Sequence, residues 1–348
     1  MPLRINVVMG GPSAEHEISL KSGKEVLENI DKKRYKVRAV VVTKKLEFYY
    51  CDLGNSVPTE KELGAPLKSK KFKGPFLPQA SLKVWEKCDA AFLAVHGSFG
   101  EDGVLQGYLD TLSIPYTGSG VFASSCAMNK IASKFIFEQN GITTPPHCIA
   151  GPKHPKVTAK VLASTFGFPM YVKCPQSGSS RLLSRADSMA QLSKTLKEFA
   201  PYSLEILVEK EIKGPEFTCP VLEFPDGTIK ALPPVEIRPI ASDFFSYTAK
   251  YKDGGSQELI PAPRPQKLLR QIMDLAEKAH RVLNCQGVSR TDMILGKDGK
   301  LYVLELNSLP GLTTHSLLPK SFVVSGGTYK GLIDILITTA LKKHKVAL

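Results

Sequence analysis

A chain of 348 residues, 43% hydrophobic and 23% charged, has the make-up of an ordinary soluble globular protein with two or three domains of roughly 150 residues each. No apolar run approaches the roughly 20 residues of a membrane span, and seven scattered cysteines without a C-x-x-C pair read as free thiols of a reducing cytoplasm, not a disulfide framework or a zinc site. The net charge of +13 is uneven: residues 31–87 hold 14 Lys/Arg against 6 Asp/Glu, densest in KSKKFKG (68–74). That stretch reads either as a nucleic-acid or phosphate footprint, or as the solvated edge of a linker-like region containing Pro58, Pro66, Pro75 and Pro78. The second is preferred, because the charge clusters away from every motif described below.

Strand and helix patterns alternate from the start, which points to α/β architecture. RINVVM (4–9) is a first strand; its apolar run is too short for a signal peptide. Gly10-Gly11 and a helical pattern to about Ile30 follow, then the strand YKVRAVVV (35–42) and, after the basic stretch, the buried strand DAAFLAV (89–95). The polar loop HGSFGEDG (96–103), the helix VLQGYLDTL, the short strand IPYT and the turn GSG (118–120) complete a first unit, residues 1–125. KIASKFIFEQNG (130–141) is a helix closed by Asn140-Gly141. A second unit, 126–208, contains the strand MYVKC (170–174), a small-residue loop and the helix 187–199, whose stripe Met189, Leu192, Leu196 and Phe199 is expected to pack in the core. From EILVEKEI (205–212) onward the pattern turns antiparallel, and a third unit spans 209–348. It holds a hairpin at Asp226-Gly227, the polar segment YTAKYKDGGS (247–256), the helix 266–283 and a terminal amphipathic helix at 332–344.

SRTDMILGKDGKLYVLELN (289–307) reads as a hairpin with Asp298-Gly299 in a two-residue type I′ turn. That register sets Asp292 opposite Glu305 and Arg290 opposite Asn307, all four on one face. Two opposed carboxylates repel by up to roughly 1 kcal/mol, more if buried. A divalent cation turns that repulsion into coordination. Mg²⁺ takes one or two carboxylates and fills its other positions with water and substrate phosphate. Asn307 offers a further oxygen, and Arg290 could neutralise phosphate charge. A solvated sheet face is the other account of the same carboxylates, weakened by the apolar neighbours Leu301, Val303 and Leu304.

Other residues have candidate roles beside bland ones. Lys173 ends a strand before the small-residue loop CPQSGSS, whose backbone N–H groups could approach phosphate oxygens, although this is no Walker A pattern. Lys130, opening its helix, is a second phosphate lysine or a solvated one. VEKEIKGPE (208–216) is a hinge over a nucleobase, with Glu216 on a ribose, or a charged edge strand. Glu15 follows Gly10-Gly11 at a strand-to-helix junction, where α/β sheets bind ligands. His96 ends a buried strand and is catalytic or structural.

GGPSAEHEISLKSG, HGSFGEDGVLQGYLDTLSIPYTGSGVFASSCAMNK, GPEFTCPVLE, AKY and GVSRTDMILGKDGKLYVLELNSLPGLTTHSLLP together resemble the D-alanine–D-alanine ligase family of ATP-grasp enzymes, from about residue 6 to the C-terminus and in the family's order. The resemblance implies three domains, with the nucleotide between the central and C-terminal ones. It implies a cytoplasmic homodimer that makes peptidoglycan precursor from ATP and D-alanine, binding neither nucleic acid nor membrane. ATP would phosphorylate one D-alanine, and the amine of a second would attack the acyl phosphate. Asp292, Glu305 and Asn307 would hold two Mg²⁺ ions, or Mn²⁺ in their place. Arg290 and the N–H of Gly311 would stabilise the oxyanion. Lys130 and Lys173 would grip the α- and β-phosphates and Lys250 the γ-phosphate. Glu209, Lys210, Glu211 and Ile212 would line the adenine pocket, with Glu216 on the ribose. Glu15 would hold the first D-alanine's ammonium, supported by Ser179 and Tyr251, with His96 nearby. Ser316 and Leu317 would receive the second D-alanine's carboxylate.

The chain departs from the family pattern at three points. Leu182 stands where the phosphate loop has glycine, and a left-handed backbone there would cost leucine about 1–2 kcal/mol. Asn129 replaces the aspartate before Lys130, with a smaller effect expected. Phe245-Ser246 replaces Tyr-Asp in the polar segment 243–256, expected to act as a lid. A D-alanyl-D-lactate ligase, a catalytically weak relative kept for binding, and a nucleic-acid binder are the rival functions; the last ranks lowest.

Overall fold

The computed structural model describes residues 2–54, 56–176, 182–239 and 256–347. Three sheets organise them. The first has the order β4-β3-β2-β1-β5, from β1 (Leu3–Gly10), β2 (Tyr35–Val42), β3 (Phe48–Asp52), β4 (Lys73–Phe76) and β5 (Ala90–Leu93). β1 pairs in parallel with both β2 and β5, so the chain leaves β1 to one side and later returns on the other. The carboxyl ends of β1 and β5 therefore flank a topological switch point, the usual ligand crevice of such sheets.

Both faces of this sheet are covered, as parallel strands require. Ile5, Val7 and Met9 pack on one side with Leu20 and Leu27 of the helix His16–Asn29. Leu318 and Phe322 of the helix Leu317–Val324, and Leu332, Ile333, Leu336 and Ile337 of the terminal helix Tyr329–Ala347, join that same core. Val8, Val40 and Val42 face the other way, onto Trp85, Leu105 and Leu109. The basic stretch is not the linker-like edge that its composition suggests. β3 and β4 extend the sheet through antiparallel pairs, and Phe48, Tyr49, Tyr50 and Cys51 are buried.

The second sheet, β6 (His147–Ala150), β7 (Met170–Lys173), β8 (Leu183–Ala186) and β9 (Ile206–Lys210), is antiparallel in the order β6-β9-β7-β8. Strict alternation splits its faces. Met170, Val172, Ile206 and Val208 pack with Leu162, Leu192 and Phe199 of its two helices, which leaves Lys173 and Glu209 on the opposite face. Leu192, Leu196 and Phe199 take the core roles expected of them. Met189 does not: as the first residue of its helix it is 40% exposed.

The third sheet contains β10 (Glu216–Glu223), β11 (Ile229–Ala231), β12 (Val235–Pro239), β13 (Ser256–Leu259), β14 (Val288–Leu295) and β15 (Leu301–Asn307), ordered β13-β12-β10-β14-β15 with β11 beside β10. Leu269, Ile272, Ala276 and Ala279 of the helix Gln266–Val282 cover one face through Phe217, Met293, Val303 and Leu306. Phe137, from the helix Lys130–Gln139, enters this core. Packing crosses between these sequential units: the helix 130–139 docks on the third sheet, and the chain's last two helices dock on the first.

Candidate active site

The β14–β15 hairpin reaches the expected pairing by an unexpected route. Arg290 lies opposite Asn307, and Asp292 opposite Glu305. Nearer the turn the register slips by one, with Met293 opposite Val303 and Leu295 opposite Leu301. Gly296 N–H donates to the Lys300 carbonyl and Gly299 N–H to the Gly296 carbonyl, with Gly299 at φ +78. The connection is therefore not the two-residue turn that Asp298-Gly299 suggests but the longer loop with a left-handed glycine. A β-bulge between Asp292 and Met293 restores the register and separates two duties. Val303 and Leu306 both face the core, while Glu305 between them faces away from it.

Asp292 is held firmly. Arg290 Nε and Nη2 donate to its two oxygens at 3.0 and 2.9 Å, and Thr218 Oγ1, directly opposite on β10, donates to Oδ1 at 2.5 Å. Lys130 Nζ lies 3.3 Å from Glu305 Oε2. Asn129 caps the Lys130 helix by accepting from the N–H groups of Ile131 and Ala132, a task asparagine performs as well as aspartate.

Glu209 does not hang over an open pocket edge. Its carboxylate is 2% exposed and contacts both Lys173 and Lys134. Burial alone would raise its pKa, but the two ammonium groups hold it down at about 2. Lys210 N–H donates to the Pro146 carbonyl and Glu211 N–H to the Pro169 carbonyl. The Glu211 side chain accepts from Arg185 Nε at 2.8 Å. Ile212 follows β9, and Glu216 opens β10 opposite Ile294 and Ile237.

At the switch point of the first sheet, Gly10 and Gly11 have φ of +90 and +98, and a side chain at Gly10 would strike the Val42 carbonyl. They release the chain into Ser13, whose hydroxyl donates to the His96 carbonyl at 2.6 Å. Glu15 packs its carboxylate against Gly97. The His96 ring is buried; Nε2 is 2.9 Å from Ser22 Oγ and Nδ1 is 3.4 Å from Glu101 Oε1. Burial raises the Glu101 pKa, the nearby Glu15 charge adds to this, and His96 offsets only part of it. Glu101 has no sequence signal beyond its place in the polar loop.

The loop after β15 closes the arrangement. Gly311 sits so close to Ser316 that a Cβ there would lie 2.8 Å from its hydroxyl oxygen. Ser316 Oγ accepts from Thr313 N–H at 3.2 Å and precedes the helix starting at Leu317, an N-terminus suited to a carboxylate. Thr314 N–H donates to Glu25 at 2.5 Å, tying this loop to the first helix. Ser179, Lys250 and Tyr251 lie outside the described residues, as do Arg181 and Phe245-Ser246. Leu182 is described and packs against the core of the second sheet.

Among the described residues, no cluster of three or more His, Cys, Asp or Glu side chains could hold a metal. The candidate set is two carboxylates and an amide oxygen. Asp292 and Glu305 face each other across the ladder, with Asn307 one same-face position beyond Glu305. All-oxygen donors of that number suit a hard cation that keeps water and phosphate in its other positions.

Two family descriptions match the chain, D-ala D-ala ligase N-terminus over residues 4–119 and D-ala D-ala ligase C-terminus over 136–338. A D-alanine--D-alanine ligase of Clostridium beijerinckii is 36% identical over 340 residues, covering 98% of this chain and 99% of the relative. A D-alanine--D-alanine ligase of Geobacter sulfurreducens is 36% identical over 341 residues, covering 97% and 95%. Among solved structures, the D-alanine--D-alanine ligase of Bacillus anthracis complexed with ATP superposes with a TM-score of 0.77 at 31% identity, over 99% of this chain and 100% of that one. The VanG D-Ala:D-Ser ligase of Enterococcus faecalis gives 0.85 at 27% identity, over 98% and 100%.

Proposed function

The chain belongs to the D-alanine–D-alanine ligase family, and from that membership we propose how its residues divide the work. It is an ATP-dependent ligase of ATP-grasp architecture that joins two D-alanines for cell-wall peptidoglycan synthesis. The cross-strand pair Asp292–Glu305 is the observation that carries the site assignment. Opposed carboxylates with an arginine and a lysine beside them are tolerable where cations and phosphates meet.

Asp292, Glu305 and Asn307 would hold two Mg²⁺ ions, with Mn²⁺ able to replace them, and that metal neutralises phosphate charge when bound. Arg290 fixes Asp292 and, with the Gly311 N–H, faces the oxyanion of the tetrahedral intermediate. Lys130 and Lys173 grip the α- and β-phosphates, and Lys250 the γ-phosphate. The segment Glu209, Lys210, Glu211 and Ile212 borders the adenine, with Glu216 on the ribose. Glu15, with Ser179 and Tyr251, binds the first D-alanine's ammonium, and buried His96 braces that pocket through Ser22 and Glu101. Ser316 and Leu317 receive the second D-alanine's carboxylate at their helix N-terminus. Positioning and charge neutralisation supply the rate, since phosphoryl transfer leaves little covalent work to side chains. The enzyme acts as a cytoplasmic homodimer on small-molecule substrates. Among the described residues, no helix is long and apolar enough to cross a membrane.

Phosphate release from Mg-ATP, with D-alanine, L-alanine, D-lactate and D-serine offered in turn, tests the assignment. D-Alanine alone should give dipeptide and stoichiometric phosphate. Failure of D-alanine to stimulate release, or faster release with D-alanine plus another acceptor, overturns it.

A further inference from the structure

Lys134 belongs to no motif, yet its side chain is 1% exposed and meets one oxygen of the buried Glu209 carboxylate. Lys173 meets the other oxygen. Lysine is almost never fully buried unless paired, and here two lysines share one carboxylate. Two lysine side chains thus converge on one carboxylate in a site of low exposure. Burial pulls the Lys134 pKa down, and the Lys173 charge adds to that while Glu209 opposes it. Lys173 is burdened by burial too, but Glu209, Glu305 and Glu216 all lie within its field and raise it. The Glu209 carboxylate thus depends on both ammonium groups, and removing either would leave a buried charge held by one partner alone.

Placement agrees with this. Lys134 lies one turn beyond Lys130, on the same side of its helix. Lys130 reaches Glu305 on the third sheet, while Lys134 reaches Glu209 on the second. Without Lys134, both oxygens of Glu209 would be left to Lys173.

Resting on the ligase assignment above, we propose that Lys134 is a positioning residue for nucleotide binding. By occupying one oxygen of Glu209 it limits Lys173 to the other, and it keeps the Lys173 ammonium turned toward the ATP phosphates. Lys134 itself touches no substrate.

The variants Lys134→Met, Lys134→Gln and Lys134→Arg of the full chain separate this role from plain packing. Lys134→Met removes the donor to Glu209, whereas the Gln amide keeps a donor without the charge and Arg keeps both. Calorimetric titration with Mg-ADP reads binding without turnover. Lys134→Met should weaken Mg-ADP by about tenfold and raise the KM for ATP to match, with the KM for D-alanine within about twofold of wild type. Lys134→Arg and Lys134→Gln should recover most of the affinity. Unchanged Mg-ADP affinity in folded Lys134→Met, or Arg and Gln variants no tighter than it, overturns the proposal. So does a parallel rise in the KM for D-alanine. If Lys134→Met does not fold, Lys134→Arg decides: near-wild-type affinity supports the role, and lost affinity refutes it. The ligase assignment fails separately, when wild-type protein binds Mg-ADP but releases no phosphate with D-alanine.

Discussion

Lys130 and Lys134 stand one turn apart on a single helix and reach carboxylates on two different sheets, Glu305 on the third and Glu209 on the second. The helix Lys130–Gln139 thereby joins the second and third sheets, which flank the proposed nucleotide cleft. Its apolar residue Phe137 anchors it to the third sheet's core, so the lysines are set by packing rather than by their own flexible stems. That rigidity is what charge-assisted phosphate binding needs.

Glu305→Gln tests the cleft's chemistry. The side chain is 24% exposed, so replacing it removes a charge and weakens its pairing with Lys130 but takes away no core volume. Turnover should fall by on the order of 10²–10³-fold, and the melting temperature should barely move, because an ion pair of that exposure contributes about 1 kcal/mol or less. Wild-type phosphate release from the folded variant would remove Glu305 from the site.

Leu182→Gly should not repair the phosphate loop. A leucine in glycine's place suggests backbone strain, but Leu182 packs against the core of the second sheet, and its carbonyl accepts from Cys174 N–H at 3.0 Å. Truncation therefore costs packing, about 1–3 kcal/mol for a partly buried leucine, with nucleotide affinity no better than wild type. Denaturant midpoints and Mg-ADP titration read the two halves; tighter binding at unchanged stability would restore the strain argument.

The cross-strand pairing at the candidate site was legible only in part from local pattern and spacing. A two-residue turn at Asp298-Gly299 pairs Asp292 with Glu305, and the real hairpin arrives at that pairing because its longer loop and its bulge offset each other by one residue. The bulge that preserves this pairing is not legible, because an extra residue such as Leu304 looks like any other apolar strand position. β3 was hidden by its basic surroundings, although Phe48–Tyr50 are as buried as any core strand. The helix Leu317–Val324 was masked by Pro319, which the first helical turn tolerates because the N–H that proline lacks would have no intrahelical acceptor there. Lys134 escaped because its partner Glu209 comes from another element, and no local spacing encodes such a meeting; Glu101 shares the loop 96–103 with His96, where an irregular backbone gives no period to show which side chains meet.

His280 predicts a pH dependence of stability away from the cleft. It is fully buried, with Nδ1 2.7 Å from Ser289 Oγ. Burial, aided by the charges of Lys343 and Arg281, lowers its pKa to about 3. The unfolded chain binds a proton there below about pH 6.5, whereas the folded protein does not until about 3. Stability from this group is therefore complete above pH 6.5 and is lost as pH falls, by about 1.4 kcal/mol per pH unit. Between pH 6.5 and 5, above the range where most carboxylates titrate, the loss reaches about 2 kcal/mol. His280→Gln keeps a polar partner for Ser289 without a titrating ring. Its urea unfolding free energy should be lower at pH 7 but flatter toward pH 5, so that the gap to wild type narrows on acidification. Parallel pH profiles for the two proteins would show that His280 is protonated alike in the folded and unfolded chain.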